Sequence, residues 1–135
     1  MSRIESYPRR RARAGAGTPF ELLLAEDARA RMVGLLGNRG LDPGLGLLIP
    51  RCASVHTIAM RFSLDVVFVR WPPSSEDRLE VLALREDLRP ARMAAFKRRG
   101  TGLRRREVGA LELTAGEAAR LGIAEGQAIE VEPAP

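Results

Sequence analysis

The sequence predicts a mainly β (α+β) protein, a compact antiparallel sheet or small barrel with two short helices. The apolar segments are short, closely spaced and mostly rich in Leu, Val, Ile and Phe, as expected for strands. Turn-forming residues separate them, with 13 Gly and 9 Pro in 135 residues. Only two segments carry signals for both the beginning and the end of a helix. The length suits one domain, which we place at residues 18–135.

The chain begins with an arginine-rich segment. Residues 1–17 combine Arg, Gly, Pro and Ser with little apolar content, which predicts a flexible basic tail. Residues 20–25 are a short apolar run and predict a strand. Two acids open the segment 26–36, and its apolar spacing predicts a short helix. Residues 37–44 are rich in turn formers.

Four strands are predicted in the middle of the chain. Residues 46–50, 55–60 and 64–71 are short apolar segments, and the last is rich in β-branched and aromatic residues. Residues 72–75, Pro-Pro-Ser-Ser, interrupt the pattern and predict a loop. The apolar segment 79–84 is expected to pair back on 64–71 as a hairpin with a longer connection.

The C-terminal part predicts two more strands around the second helix. Residues 108–113 form the first of these strands. Thr114 suits the capping position before a helix, which we expect to end near Leu121, just before Gly122. Residues 129–131 form the last strand.

The composition excludes several classes of protein. The single cysteine cannot form an internal disulfide or a multi-cysteine metal site. No apolar signal region follows the N-terminal arginines, and no apolar run approaches the roughly 18 residues that span a bilayer. We therefore predict a cytoplasmic protein with no membrane partner, no metal and no cofactor.

Positive charge is concentrated in one internal segment. The net charge is +5, yet residues 89–106 contain eight basic residues and no acid. This segment is either a solvated loop, a partner of the acidic C-terminal part, or a non-specific nucleic-acid contact that binds phosphates. The few aromatic residues, 4% of the chain, argue against base stacking. The nucleic-acid alternative rests on Arg98, Arg99, Arg104, Arg105 and Arg106.

A polar site is predicted in and near residues 52–69, which contain the only cysteine, the only histidine and an aspartate within apolar sequence. His56 is either a hydrogen-bonded structural residue or a catalytic or ligand-binding one. A buried Asp65 needs donors or a cation, and the structural interpretation pairs it with Arg61. A Cys52–His56 nucleophile pair would require a broken strand, so an inert thiol is favoured.

The candidate site contains Ser54, His56, Arg61, Asp65 and Glu112. Glu112 is either a solvated strand residue or a second carboxylate in a cleft. The leading hypothesis is a small ligand-binding or protein-interaction module, in which Arg61 engages an anionic group and His56 and Ser54 supply hydrogen bonds. The alternative is a hydrolase with His56 as general base and Asp65 as the acid that orients it.

Ordered sequence blocks connect the chain with a known family. They are Gly34-Leu35-Leu36, Gly46-Leu47-Leu48-Ile49-Pro50, the motif Cys52-x-Ser54-x-His56-Thr57-x-x-Met60-Arg61-Phe62-x-x-Asp65-Val66-Val67-Phe68, and Leu111-Glu112-Leu113-x-Ala115-Gly116 with Gly122 and Gly126. Over about residues 20–132 the chain resembles the domain of unknown function 192 family. The resemblance implies a small, mainly β domain of the cytosolic type, with no agreed activity. Residues 72–77 and the long, basic segment 91–106 depart from the family pattern.

Overall fold

The computed structural model describes residues 9–25, 41–57, 60–73 and 77–132. The strands in these residues are β1 (Arg9–Ala14), β2 (Phe20–Leu24), β3 (Leu45–Ile49), β4 (Ser54–His56), β5 (Leu64–Arg70), β6 (Arg78–Leu88), β7 (Met93–Ala95), β8 (Val108–Thr114) and β9 (Ala128–Val131). One helix, α1, spans Glu117–Leu121, and a 3-10 turn spans Arg105–Glu107.

Within these ranges, seven of the strands close into a barrel in the order β1-β2-β3-β8-β5-β6-β9. Strands β2 and β3 pair in parallel, and the other neighbours pair antiparallel. Strands β4 and β7 form a separate two-stranded antiparallel sheet. The prediction of a mainly β protein with a small barrel is confirmed.

The part of the barrel wall formed by β3, β5 and β8 is buried on both faces. One apolar cluster draws side chains from all seven barrel strands and from α1, so it is the barrel interior; it includes Leu22, Leu48, Val67, Leu111 and Ile129. The alternate residues of the same wall pack outside, beneath β4 and β7, in a cluster that includes Leu23, Leu47, Val66, Phe68 and Val55. Because side chains alternate across a strand, a doubly buried wall requires nearly continuous apolar strands. This explains why six of the seven β5 residues are buried.

Strand β1 corrects the prediction of a flexible tail over residues 1–17. Residues 9–14 pair with β2 on one side and with β9 on the other. Ala12 and Ala14 are only 2% and 3% exposed, whereas Arg11 and Arg13 are exposed. The Arg-Ala alternation therefore has the two-residue period of a strand, with small side chains inside the barrel. The average composition of residues 1–17 does not reveal this alternation. Residues 1–8 lie outside the described ranges.

The helix predictions have two outcomes. The helix expected over residues 26–36 lies outside the described residues. The second helix forms as α1, but it begins after Gly116 rather than being capped by Thr114. The Thr114 hydroxyl instead donates a hydrogen bond to the Leu41 carbonyl. A tertiary contact thus replaces the expected local cap.

Strands β6 and β4 differ in extent from the prediction, and β7, like β1, was not predicted. Strand β6 has 11 residues, more than the expected 79–84, because both of its edges pair with barrel neighbours. Strand β4 ends at His56, where Thr57 turns away and its N–H donates to the Arg92 carbonyl at 2.9 Å. Strand β7 lies inside the basic segment, with Ala94 buried opposite Val55.

Glu117 ties α1 to the turn before β3. Its carboxylate accepts hydrogen bonds from the Gly44 N–H and from the Arg120 guanidinium, and its side chain is only 8% exposed. The hydrogen bond from Arg120 is the largest cause that lowers the pKa of Glu117, and the Gly44 N–H acts in the same direction against burial. The charged form of Glu117 is therefore the one that the fold stabilises.

We expect Glu117→Gln to lower the free energy of unfolding by about 1 kcal/mol near neutral pH. The folded pKa lies below the ordinary value of 4.5, so this stabilisation is complete above that value. It is lost as the pH falls through the lower, folded pKa. Urea unfolding from about pH 7 to about pH 2.5 measures it. Glu130→Gln, at an exposed ion pair with Arg78, is the control. A Glu117→Gln difference that persists undiminished in acid would contradict the prediction.

Candidate functional site

The register of β5 and β8 separates the two candidate carboxylates. Asp65 lies opposite Leu113, and the next pair along the ladder is Val66 with Glu112. Opposite residues in a ladder project from the same face of the sheet. Leu113 belongs to the barrel interior and Val66 to the outer cluster. Asp65 and Glu112 therefore lie on opposite faces of the wall and cannot share one cleft.

Asp65 is a structural anchor at the α1 end of the barrel. It is 0% exposed, and its Oδ2 atom accepts hydrogen bonds from the N–H groups of Gly116 and Ala118, at 3.0 and 2.9 Å. Its Oδ1 atom accepts one from the Asp87 N–H at 2.9 Å. One carboxylate thus satisfies the donors that begin α1 and also holds the far end of β6.

The expected Arg61–Asp65 pair does not form. Arg61 is exposed, and no ion pair joins it to Asp65 within the described ranges. The donors that the buried carboxylate requires come from backbone N–H groups instead. Among the described residues no hydrogen bond connects His56 with Asp65 either, so the geometry does not assemble the proposed hydrolase pair.

Glu112 is buried in the wall. It is 0% exposed and lies opposite Leu47 on one side and Val66 on the other. The interpretation of Glu112 as a solvated strand residue is therefore wrong. The period-two argument located the face of the strand correctly, but this face is covered by further chain rather than by solvent.

His56 lies at the end of β4, opposite Met93 of β7. Val55 enters the outer apolar cluster, so Ser54 and His56 share the other face of β4. Ser54 is exposed and His56 is half-buried. The His56 Nδ1 atom is buried and makes no hydrogen bond with any described residue.

Cys52 has a local partner. Its thiol donates a hydrogen bond to the Ser54 carbonyl at 3.1 Å, and no described contact joins it to His56. The structure thus gives no Cys-His nucleophile pair among the residues it describes. The same residues also contain no group of three His, Cys, Asp or Glu side chains that could hold a metal ion.

Four arginines surround a groove of about 400 Å³, which we call the arginine groove; they are Arg51, Arg104, Arg105 and Arg106. All four side chains are exposed. Arg105 and Arg106 lie in the 3-10 turn, and Arg104 precedes it, with its N–H donating to the Glu107 carboxylate at 2.9 Å. Arg51 is brought beside them because the Cys52 N–H donates to the Val108 carbonyl at 2.7 Å.

Among the described residues, no acid lines the arginine groove. Across the described ranges none of its four guanidinium groups forms an ion pair within 4.0 Å. Of these arginines, Arg51 was not among the predicted candidates; it lies 53 residues before Arg104 in the chain. No local pattern marks Arg51, since only the β3–β8 side of the barrel brings the two segments together.

Arg98 and Arg99 do not line the groove. They occupy an exposed turn in which the Thr101 N–H donates to the Arg98 carbonyl at 3.0 Å. The segment before this turn is attached to β4 through the Phe96 N–H, which donates to the Ala53 carbonyl at 2.8 Å. The basic segment is thus hydrogen-bonded to the domain on the N-terminal side of this turn.

One family model matches nearly the whole described chain. The DUF192 model, described as an uncharacterized ACR, matches residues 10–131. The chain belongs to the DUF192 family. The matched range includes the seven barrel strands, the β4–β7 sheet and the arginine groove. The predicted family membership is confirmed, and the family description assigns no activity.

Two solved structures resemble this DUF192 protein. One, from Sinorhizobium meliloti 1021, is provisionally described as a transcription regulator; it has 25% identity and a TM-score of 0.70, with 93% of this chain and 95% of that chain covered. The other, from Novosphingobium aromaticivorans DSM 12444, is a protein of unknown function with 23% identity and a TM-score of 0.63, covering 93% and 84%. The second likeness concerns the fold alone.

One further comparison found no match, and one structural feature is absent from the described residues. Among curated proteins, none matches this DUF192 chain significantly. In the described part of the chain, no helix has the length and apolar character needed to cross a membrane.

Proposed function

We propose that this DUF192 protein is a binding module for phosphate-bearing polyanions, with the arginine groove as its contact surface. The observation that carries the proposal is the convergence of Arg51 with Arg104, Arg105 and Arg106 around one groove that no acid of the described ranges lines. Guanidinium groups match phosphate oxygens in charge and in the geometry of their donors. A bound anion would also relieve the repulsion among four neighbouring cations.

Nucleic acid is the polyanion that the observations favour. Arg98 and Arg99, exposed in the neighbouring turn, extend the positive surface beyond the groove. The chain has few aromatic residues, which favours contacts with the phosphate backbone over stacking with bases. One structural relative is provisionally described as a transcription regulator. The expected cytoplasmic location would give this protein access to nucleic acid.

The polar site predicted from residues 52–65 and Glu112 is less suited to binding an anion. Asp65 uses both carboxylate oxygens for backbone donors, and Glu112 lies on the other face of the wall. Ser54, His56 and Arg61 remain from that set, with one unsatisfied His56 nitrogen as their distinguishing feature. They form the alternative anion contact, which the same experiment tests.

We expect the protein to bind a labelled DNA duplex with a strong salt dependence, measured by fluorescence anisotropy. Four phosphate contacts correspond to a slope of about −3.6 in log affinity against log salt. Affinity should therefore fall about 100-fold between about 50 and about 200 mM salt. In the triple variant Arg104→Gln, Arg105→Gln, Arg106→Gln, the slope should approach about −0.9, the value for one contact.

A matched control removes the same charge elsewhere. Arg9→Gln, Arg11→Gln and Arg13→Gln together neutralise three arginines of β1, which do not line the groove. Equal loss in this control would mean that net charge, rather than the groove, determines binding. If His56→Ala loses binding and the triple groove variant does not, the anion contact lies at β4 rather than at the groove. Absence of binding at low salt would refute the proposal.

A further inference from the structure

The barrel has one closed and one open end. Helix α1 closes the first, because Ala118 and Leu121 belong to the interior cluster. Strand β5 begins beside this helix, where Asp65 accepts the Ala118 N–H, and ends at Arg70, next to Trp71. Seven strand residues extend about 20 Å, so Trp71 lies at the opposite end.

A cavity of about 150 Å³ opens at that end, and we call it the barrel mouth. Its lining includes Leu22, Leu24, Leu48, Trp71, Leu79 and Arg10. Leu22, Leu48 and Leu79 belong to the interior cluster, and Leu24 and Trp71 pack against it. The cavity is therefore an apolar extension of the barrel interior.

Among the described residues of the lining, Arg10 is the one charged side chain. It lies two residues before Ala12 on β1, so it shares the inward face of that strand. Its Nη1 atom donates to the Arg9 carbonyl at 2.8 Å, which leaves other guanidinium N–H groups for a further acceptor. Within the described ranges Arg10 forms no ion pair.

We propose that the barrel mouth binds a small apolar carboxylic acid. An apolar cavity of about 150 Å³ accommodates a molecule the size of benzene. The cavity volume of about 150 Å³ thus matches an apolar body of about one six-membered ring. One guanidinium fork at an apolar rim matches a single carboxylate. None of the arginines of the groove lines this cavity, so the inference is independent of the proposed function.

Trp71 makes the proposal directly testable, since it is the only tryptophan of the chain and lies in the lining. We expect benzoate to change the Trp71 emission with a saturable dependence on concentration. Benzyl alcohol has the ring without the charge and should bind about tenfold more weakly, because it lacks the charge-assisted hydrogen bond. Acetate has the charge without the ring and should give no saturable change.

Three variants locate the two parts of the ligand. Arg10→Gln should reduce benzoate affinity to that of benzyl alcohol and leave benzyl alcohol unaffected. Arg11→Gln, the exposed neighbour, should behave as the unchanged protein. Leu24→Phe should fill the cavity and abolish both responses, with its melting temperature as the check on folding. Equal affinities of the unchanged protein for benzoate and benzyl alcohol, equal losses in both arginine variants, or no saturable response to benzoate would overturn the proposal.

Discussion

Asp65→Ala is expected to lower the free energy of unfolding by about 4 kcal/mol. The substitution removes the shared acceptor of three backbone N–H groups, at Asp87, Gly116 and Ala118. These donors lie around a fully buried position, where water does not replace the lost oxygens without opening the structure. The beginning of α1 and the end of β6 should therefore both loosen. Urea unfolding measures the change.

Two further variants separate charge, shape and position. Asp65→Asn keeps the shape but replaces one acceptor oxygen by a donor, so we expect about half the loss of Asp65→Ala. Glu80→Ala removes an exposed carboxylate 3.9 Å from Arg70 and should change stability by less than about 1 kcal/mol. If Asp65→Ala were as mild as Glu80→Ala, or stabilising as at many catalytic positions, the anchoring role would be refuted.

Gly17→Ala is expected to destabilise the protein by about 3 kcal/mol. An added Cβ atom at Gly17 would lie 2.3 Å from the Leu121 carbonyl oxygen and 2.9 Å from that of Ala14. Both are backbone atoms, at the end of α1 and of β1, so neither can rotate away as a flexible side chain could. The chain must shift where α1 closes the barrel. Thermal and urea unfolding measure the loss.

Gly15→Ala is the matched control. Gly15 has a φ of +54°, but an added Cβ would meet no atom within 4 Å. Only the backbone preference is affected, at a cost of about 1 to 2 kcal/mol. The prediction is therefore that the glycine without the unusual φ is the more sensitive one. A larger loss for Gly15→Ala than for Gly17→Ala would contradict it.

Strands with local apolar patterns were predictable from sequence. Residues 20–25, 46–50, 64–71 and 108–113 each contain a short apolar run, and the structure forms β2, β3, β5 and β8 there. Strands β1 and β7 were not predicted, because each lies in an arginine-rich segment and buries only one face, which carries small side chains. Their strand geometry depends on neighbours, with β1 held between β2 and β9 and β7 held on β4.

In the candidate site, too, local sequence patterns were predictable and contacts between distant segments were not. The sequence indicated that a buried Asp65 needs hydrogen-bond donors or a cation but left its burial open; the structure buries Asp65 and supplies donors. It did not identify those donors, since backbone N–H groups 22 to 53 residues away carry no side-chain signature. Grouping Asp65 with Glu112 was an error of register, because the pairing of β5 with β8 places them on opposite faces.

The amino-acid sequence alone is enough to give the mainly β class, the family and the eight positive charges of residues 89–106. These follow from local patterns and composition. Three features required the folded structure: Arg51 lies beside Arg104, Arg105 and Arg106, Arg10 lies at an apolar barrel mouth, and Asp65 anchors α1. Strand register and barrel closure set the distances between segments, and neither is encoded in any short stretch of sequence.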